Sequence, residues 1–144
     1  MKEAEKVFLS VDTTSLRTTY NSSQEKLHFI AGKISKDTVK KKMAIFLSGA
    51  CEQSGNILNL LDNQKYLERA IKESIQRITD LKHDLTEDLI EKNKSAEYIA
   101  NEVNASEKIS NAVSKAIERA KTSSIKLDSI KTQIVFLSDS LKSK

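Results

Sequence analysis

The chain has 144 residues, with no proline, three glycines, 31% charged side chains and a formal net charge of +4. A sheet protein of this length needs several tight turns, and those turns draw on glycine and proline. The composition therefore argues against sandwiches, barrels and doubly wound α/β folds. It predicts an all-α protein with short connections and a core built mainly from aliphatic side chains.

The first predicted helix covers residues 3–33. Its apolar seam runs the length of the helix but is poor in apolar residues in the middle, where many residues between Ser10 and Ser23 are serine or threonine. These residue types favour caps and turns over helix interiors, so we expect a break or fraying near residues 20–23. Ser35 is a candidate N-cap for the next helix.

The second predicted helix covers residues 36–61, where a wide apolar arc implies at least two neighbouring helices. Gly49 and Gly55 lie inside it, and close helix contact or a local bend would explain them. Cys51, the one cysteine, lies in the most apolar window of the chain and is expected to be buried. A lone cysteine also excludes an intrachain disulfide.

From residue 64 onward the apolar period is the strongest in the chain, and it is compatible with one helix or two. A turn near residues 93–95 is favoured, because Ser95 supplies an N-cap at a gap in the seam. The resulting prediction is helices over 3–33, 36–61, 64–92 and 95–141. They form one domain over 1–144, an elongated antiparallel bundle with coiled-coil-like heptad seams.

Three short segments share the form [Val/Ile]-Phe-Leu-Ser, and they contain Phe8, Phe46 and Phe136. Three interpretations of these phenylalanines are open. They are ordinary core residues that share a form by coincidence, or they form an aromatic layer at one level of the bundle, or they form an exposed apolar patch that binds a partner. Together with Lys40, Lys41 and Lys42 they are the candidate partner-binding residues of this sequence.

The sequence gives little support for a catalytic or metal-binding site. His28 and His83 each lie three residues after a carboxylate, the spacing of di-iron bundles, but helical geometry turns both pairs away from the apolar seam. The sequence contains no nucleophile elbow, phosphate-binding loop or dinucleotide fingerprint. We therefore expect no enzyme activity, no cofactor and no metal.

The lysine-rich stretch 33–42 is the densest basic run. Because it lacks arginine and interleaved aromatic residues, a solvated helix start is favoured over a nucleic-acid contact. Lysines followed by an apolar arc are also compatible with a membrane surface. Residues 64–104 carry a net charge of −2 and residues 105–144 carry +4, so antiparallel neighbours there would be complementary.

The seam over 96–141, rich in Ser, Ala, Asn and Lys, resembles the helical regions of bacterial chemoreceptors and of secreted coiled-coil virulence proteins. This similarity is one of composition, without a diagnostic motif, and it assigns no residue a role. The sequence predicts no signal peptide and no membrane span, hence a soluble, cytoplasmic protein.

The leading functional prediction is a non-enzymatic protein–protein interaction module of the assembly, adaptor or chaperone type. Its helix faces would bind another protein or a second copy of the chain. The main alternative is a regulatory or sensory bundle that binds a small ligand or a membrane surface between its helices. A nucleic-acid-associated protein using residues 33–42 ranks third.

Overall fold

The computed structural model describes residues 1–34 and 40–143, which form four α-helices and no strand. The helices are α1 (Lys2–Leu9), α2 (Thr13–Lys33), α3 (Lys41–Thr86) and α4 (Lys92–Lys142). The predicted all-α bundle of about four helices is confirmed. Ser35, the predicted N-cap, and the predicted start of a helix at residue 36 lie outside the described residues.

The segment predicted as the first helix, 3–33, does contain a break, but the predicted position of that break is wrong. The chain leaves α1 at Ser10, and the Asp12 side chain caps α2 by accepting a hydrogen bond of 2.9 Å from the backbone N–H of Ser15. The break expected at residues 20–23 is absent, because α2 continues through them. A side-chain hydroxyl can find its hydrogen-bond acceptor within α2. The Thr18 hydroxyl, for example, donates to the backbone carbonyl of Thr14 at 3.0 Å.

The predicted boundary between helices 36–61 and 64–92 is also wrong, since α3 runs without interruption through Asp62 and Asn63. Both residues are exposed, whereas Leu61 and Leu67 on either side are buried. The buried apolar face of α3 therefore continues past Asp62 and Asn63, which lie on the exposed face of the helix.

The turn predicted near residues 93–95 lies in the connection 87–91 instead, so α3 ends before 92 and α4 begins before 95. Asp88 adopts a positive φ of 53°, and the N–H of Leu89 donates to the carbonyl of Asp84 at 2.9 Å. This is the bonding pattern of a helix C-terminus that usually employs glycine. Ser95 lies in the first turn of α4, and its hydroxyl bonds back to the carbonyl of Glu91.

The described residues form two compact units. Unit 1 consists of Met1–Val11 and Asn63–Ile117, and unit 2 consists of Asp12–Asp62 and Glu118–Lys144. Each unit contains a stretch of α3, a stretch of α4 and one shorter helix, which is α1 in unit 1 and α2 in unit 2. The prediction of a single domain stays a prediction.

Buried serines set the register of both units. In unit 1 the hydroxyls of Ser74 and Ser106 are 3.1 Å apart. In unit 2 the hydroxyl of Ser123 donates to Gln53 at 2.9 Å and accepts from Asn56 at 3.1 Å. In both units residue numbers rise along α3 as they fall along α4, so the two helices are antiparallel, as predicted. A displaced register would leave these buried polar groups unpaired, which is costly.

The core of unit 2 extends along all three of its helices. It contains Leu16, Leu27, Ile30, Ala50, Ile57, Leu60, Leu61, Ala120, Leu127 and Ile134. The Ser54 hydroxyl donates to the Gln24 side chain at 3.2 Å and links α3 to α2 within this core. Unit 2 is therefore a three-helix bundle with a continuous interior.

The core of unit 1 is shorter and adjoins α1. The buried side chains of α1 are Ala4 and Phe8, and those of α3 and α4 in this unit are Leu67, Ile71, Ser74, Val113 and Ile117. Residues 1–11, which include α1, belong to the same compact unit as residues 63–117 of α3 and α4. No residue from 75 to 112 is buried.

Candidate functional site

An apolar groove of about 500 Å³ opens between α3 and α4 in unit 1, and we call it the unit 1 groove. It is lined by Ile78, Leu81, Lys82, Leu85, Thr86, Ile99, Glu102, Val103, Ser106 and Glu107. Half of the Val103 side chain is exposed, at 50%, and Ile99 is exposed to a similar extent. Aliphatic side chains on both helices thus face open space.

Helical geometry explains why these side chains form a groove. At 3.6 residues per turn, Ile78, Leu81 and Leu85 lie on the same face of α3 as Ile71 and Ser74. That face is buried at Ile71 and Ser74 but open from Ile78 onward. All residues that line the groove belong to α3 and α4. The groove is therefore the continuation of the unit 1 core, with no third helix from the described part of the chain over it.

The surroundings of the unit 1 groove are acidic. Residues 77–107 contain eight acidic and four basic side chains. The Arg77 Nε donates to both carboxylate oxygens of Glu102, at 3.0 and 3.3 Å, and joins the two helices beside the groove. With this pair neutralised, the remaining charge of the segment is negative.

A second cleft in unit 1, of about 600 Å³, lies nearer to the connection 87–91. Its lining mixes apolar residues such as Leu89 and Tyr98 with the carboxylates of Asp80, Asp84 and Glu91. This lining is more polar than that of the unit 1 groove. It adds to the acidic character of this part of the hairpin.

Unit 2 has its own apolar groove, of about 570 Å³, between the beginning of α3 and the end of α4. The residues that line this unit 2 groove are Lys42, Met43, Phe46, Thr132, Gln133, Phe136 and Leu137. Phe136 is 71% exposed, which is unusual for a large aromatic side chain. The groove therefore presents an aromatic surface beside the lysines that open α3.

The six candidate partner-binding residues are divided between the two units. Phe46, Phe136 and Lys42 line the unit 2 groove together, and Lys40 and Lys41 are exposed at the start of α3. Phe8 belongs to unit 1 and is only 7% exposed, so the structure does not bring it to this surface. Lys36, which belongs to the basic stretch 33–42, lies outside the described residues.

The sequence does not predict the unit 1 groove. Ile78, Ile99 and Val103 belong to the apolar period that follows residue 64, but such a period does not reveal whether a third helix covers it. The available signal was helix length, because α1 and α2 are much shorter than α3 and α4. Because the sequence wrongly predicts a helix boundary at residues 62–63, it does not reveal this difference in helix length.

Other candidate groups lie apart from the grooves. Cys51, expected to be buried, is exposed, because the buried face of α3 passes through Ala50 and Ser54 instead. Among the described residues, no three or more His, Cys, Asp or Glu side chains converge on a position suited to a metal ion. The Lys72 ammonium bonds the Glu68 carboxylate at 2.7 Å, which lowers the pKa of Glu68 and raises that of Lys72.

Comparisons with family models, with curated proteins and with solved structures give no match for this chain. Across residues 1–34 and 40–143, no helix combines the length and the apolar character needed to span a bilayer.

Proposed function

We propose that this protein is a non-enzymatic protein–protein interaction module that binds an amphipathic helix of a partner in the unit 1 groove. The observation that carries the proposal is the change along one face of α3, from buried at Ile71 to open at Ile78, together with the half-exposed Val103 of α4 in the same groove. A partner helix would complete, over residues 78–107, the three-helix packing that unit 2 has over residues 50–61 and 120–134. Helix-in-groove recognition of this kind depends on apolar anchors spaced one helical turn apart.

The charge of residues 77–107 defines the chemistry of the partner helix. With eight acidic and four basic side chains in 77–107, the groove favours a helix whose apolar stripe is flanked by lysine or arginine. Each half-exposed aliphatic side chain that such a helix covers contributes about 1 kcal/mol. Charges at the rim would mainly accelerate association and make it sensitive to salt.

The experiment uses a fluorescent synthetic helix of leucine and lysine with an apolar stripe, and fluorescence anisotropy to measure its affinity. The double variant Ile99→Ser and Val103→Ser should weaken binding about thirtyfold, since two anchoring contacts are lost. The matched control is Ile125→Ser, which removes an exposed isoleucine from the same helix α4 but within unit 2. This control should bind the peptide as the parent protein does.

Two results would overturn the proposal. The first is equal binding of a peptide with the same composition whose leucines no longer share one face, which would reduce the interaction to charge. The second is a concentration-dependent dimer in analytical ultracentrifugation that the Ile99→Ser, Val103→Ser double variant abolishes. That dimer would assign the groove to a second copy of the chain instead of a partner helix.

A further inference from the structure

The unit 2 groove flanks the contact between α3 and α4 on a face that α2 does not line. The Ser54 hydroxyl of α3 donates to Gln24 of α2 at 3.2 Å. The preceding residue of α3, Gln53, accepts a hydrogen bond of 2.9 Å from Ser123 of α4. Phe46 lies two helical turns before Gln53 and is therefore turned about 80° round the helix from Ser54. All residues that line the groove belong to α3 and α4.

Apolar side chains from both helices form this groove. Met43 and Phe46 lie one turn apart on α3, and Phe136 and Leu137 lie on α4. Phe46 is half-buried between the helices, whereas Phe136 is 71% exposed. Large aromatic side chains that a partner can enclose are enriched at the centres of protein interfaces. The groove therefore offers an aromatic anchor to an occupant that packs along α3 and α4.

Lysines lie at both ends of the groove face. Lys42 lines the groove at the start of α3. Lys126 lies eleven residues before Leu137. Eleven residues are three helical turns, so Lys126 occupies the same face of α4 about 16 Å further along. Both lysines are exposed, and neither ammonium has a carboxylate within ion-pair distance among residues 1–34 and 40–143.

The acidic residues of these stretches lie on other faces of their helices. Asp128 and Asp139 are turned about 90–110° round α4 from the centre of the groove lining, and Glu52 is turned about 130° on α3. Asp139 also pairs with Lys142 at 3.6 Å. The charge along the groove face is therefore positive, opposite to that of residues 77–107.

We infer that the unit 2 groove binds an amphipathic helix of a second partner, whose apolar stripe is flanked by glutamate or aspartate. Carboxylates about three turns apart on that helix would meet Lys42 and Lys126, while its apolar stripe encloses Phe136 and reaches Phe46. This binding activity goes beyond the proposed function, because its groove, its residues and the charge of its partner all differ.

The shape and charge of the groove favour this occupant over two others. A planar lipid surface cannot reach Phe46 between the two helices, whereas the apolar ridge of a helix can follow the groove along its length. A second copy of the chain that used the same groove would bring further lysines to a face without carboxylates, which is unfavourable.

The test uses the full chain and a fluorescent synthetic helix of leucine and glutamate with an apolar stripe, and fluorescence anisotropy measures the affinity. Phe136→Ser should weaken binding about tenfold or more. The matched control is Tyr66→Ser, which removes an aromatic side chain of similar exposure (69%) from unit 1. It should bind the peptide as the parent protein does.

Two double variants with the same change in net charge test the lysines. Lys42→Glu, Lys126→Glu should weaken binding about tenfold at low salt, and the loss should shrink as salt is added. Lys41→Glu, Lys131→Glu changes exposed residues of the same helices that are turned about 150° or more from the groove lining. This control should keep most of the binding. Circular dichroism verifies that each variant folds.

Three results would overturn the inference. An equal loss in the two double variants would reduce the interaction to net charge. A concentration-dependent dimer that Phe136→Ser abolishes would assign the groove to a second copy of the chain. Vesicles containing phosphatidylserine that bind through Phe136, where the peptide does not bind, would assign it to lipid.

The outcome is independent of the proposed function. The Ile99→Ser, Val103→Ser double variant leaves the unit 2 groove intact and should bind the leucine–glutamate peptide normally. Phe136→Ser leaves the unit 1 groove intact and should bind the leucine–lysine peptide normally. Loss of one peptide without the other therefore shows which of the two proposals fails.

Discussion

Units 1 and 2 are built from the same two long helices but differ in the helix that accompanies them. In unit 2, the 21-residue α2 accompanies α3 and α4, and buried residues extend from Ala50 to Leu61 and from Ala120 to Ser138. In unit 1, α1 has eight residues, and no side chain is buried between residues 75 and 112. The same apolar period thus becomes core over residues 50–61 and 120–138 of unit 2 and open surface over residues 78–107 of unit 1.

The largest expected effect comes from a matched pair of isoleucine truncations. Ile57→Ala in unit 2 removes a fully buried side chain and should lower the free energy of unfolding by about 3 kcal/mol. Ile99→Ala in unit 1 removes a half-exposed side chain and should lower it by less than about 1 kcal/mol. Urea denaturation measures both, and equal losses would erase the difference between the units.

The polar layer of unit 2 offers a second comparison. Ser123→Val leaves the amides of Gln53 and Asn56 without their shared hydroxyl, so the free energy of unfolding should fall by about 1–3 kcal/mol. Ser114→Val, at an exposed position of α4 in unit 1, is the control and should change it by about 0.5 kcal/mol or less. A similar loss for both variants would mean that the layer has no special contribution.

The sequence predicted helix type better than helix ends. The all-α class followed from the missing proline and from the 3.6-residue period, both of which act over the whole chain. The ends depended on single residues: Asp12 caps α2, and Asp88 takes the left-handed conformation that glycine usually provides. Polar pairs such as Asp62–Asn63 resemble a turn in sequence, yet they lie on the solvent side of a helix whose buried face continues.

The candidate site was predicted in part. Phe46, Phe136 and Lys42 were singled out from composition and spacing, and they line one groove. The unit 1 groove could not be predicted, because its openness depends on where α1 ends relative to α3 and α4. The position of the α1 end is a property of tertiary packing. The spacing of apolar residues such as Ile78 and Val103 along their helices carries no information about it.

A smaller, stabilising effect is expected at Gly55. Among the described residues, a Cβ atom added there, or at Gly49, meets no atom within 4 Å beyond its chain neighbours and the backbone of its own helix. The close helix contact that the sequence suggested therefore does not explain these glycines, and the alternative, a local bend, stays a prediction. Gly55→Ala should therefore raise the free energy of unfolding by about 0.5–1 kcal/mol, through the higher helix propensity of alanine. Thermal denaturation measures it, and a destabilised variant would reveal a contact that α3 makes at this residue.

The smallest effect concerns pH and belongs to unit 1. The pKa of Glu68 lies below 4.5, so the stability it contributes is present above that value and is lost as pH falls through the lowered pKa. The pKa of Lys72 lies above 10.5, so its contribution is lost only as pH rises through the raised pKa. Lys72→Met should return the Glu68 pKa toward 4.5 in an NMR titration, and an unchanged pKa would contradict the pairing.

Hydrogen exchange followed by mass spectrometry tests the central claim, the contrast between a covered and an uncovered hairpin, most directly. In the free protein, amides of residues 77–107 should exchange much faster than those of 50–61 and 120–138, because no third helix within residues 1–34 and 40–143 covers them. Addition of the leucine–lysine helix should slow exchange in 77–107 and leave unit 2 unchanged. Uniform strong protection along α3 and α4 in the free protein would contradict the account.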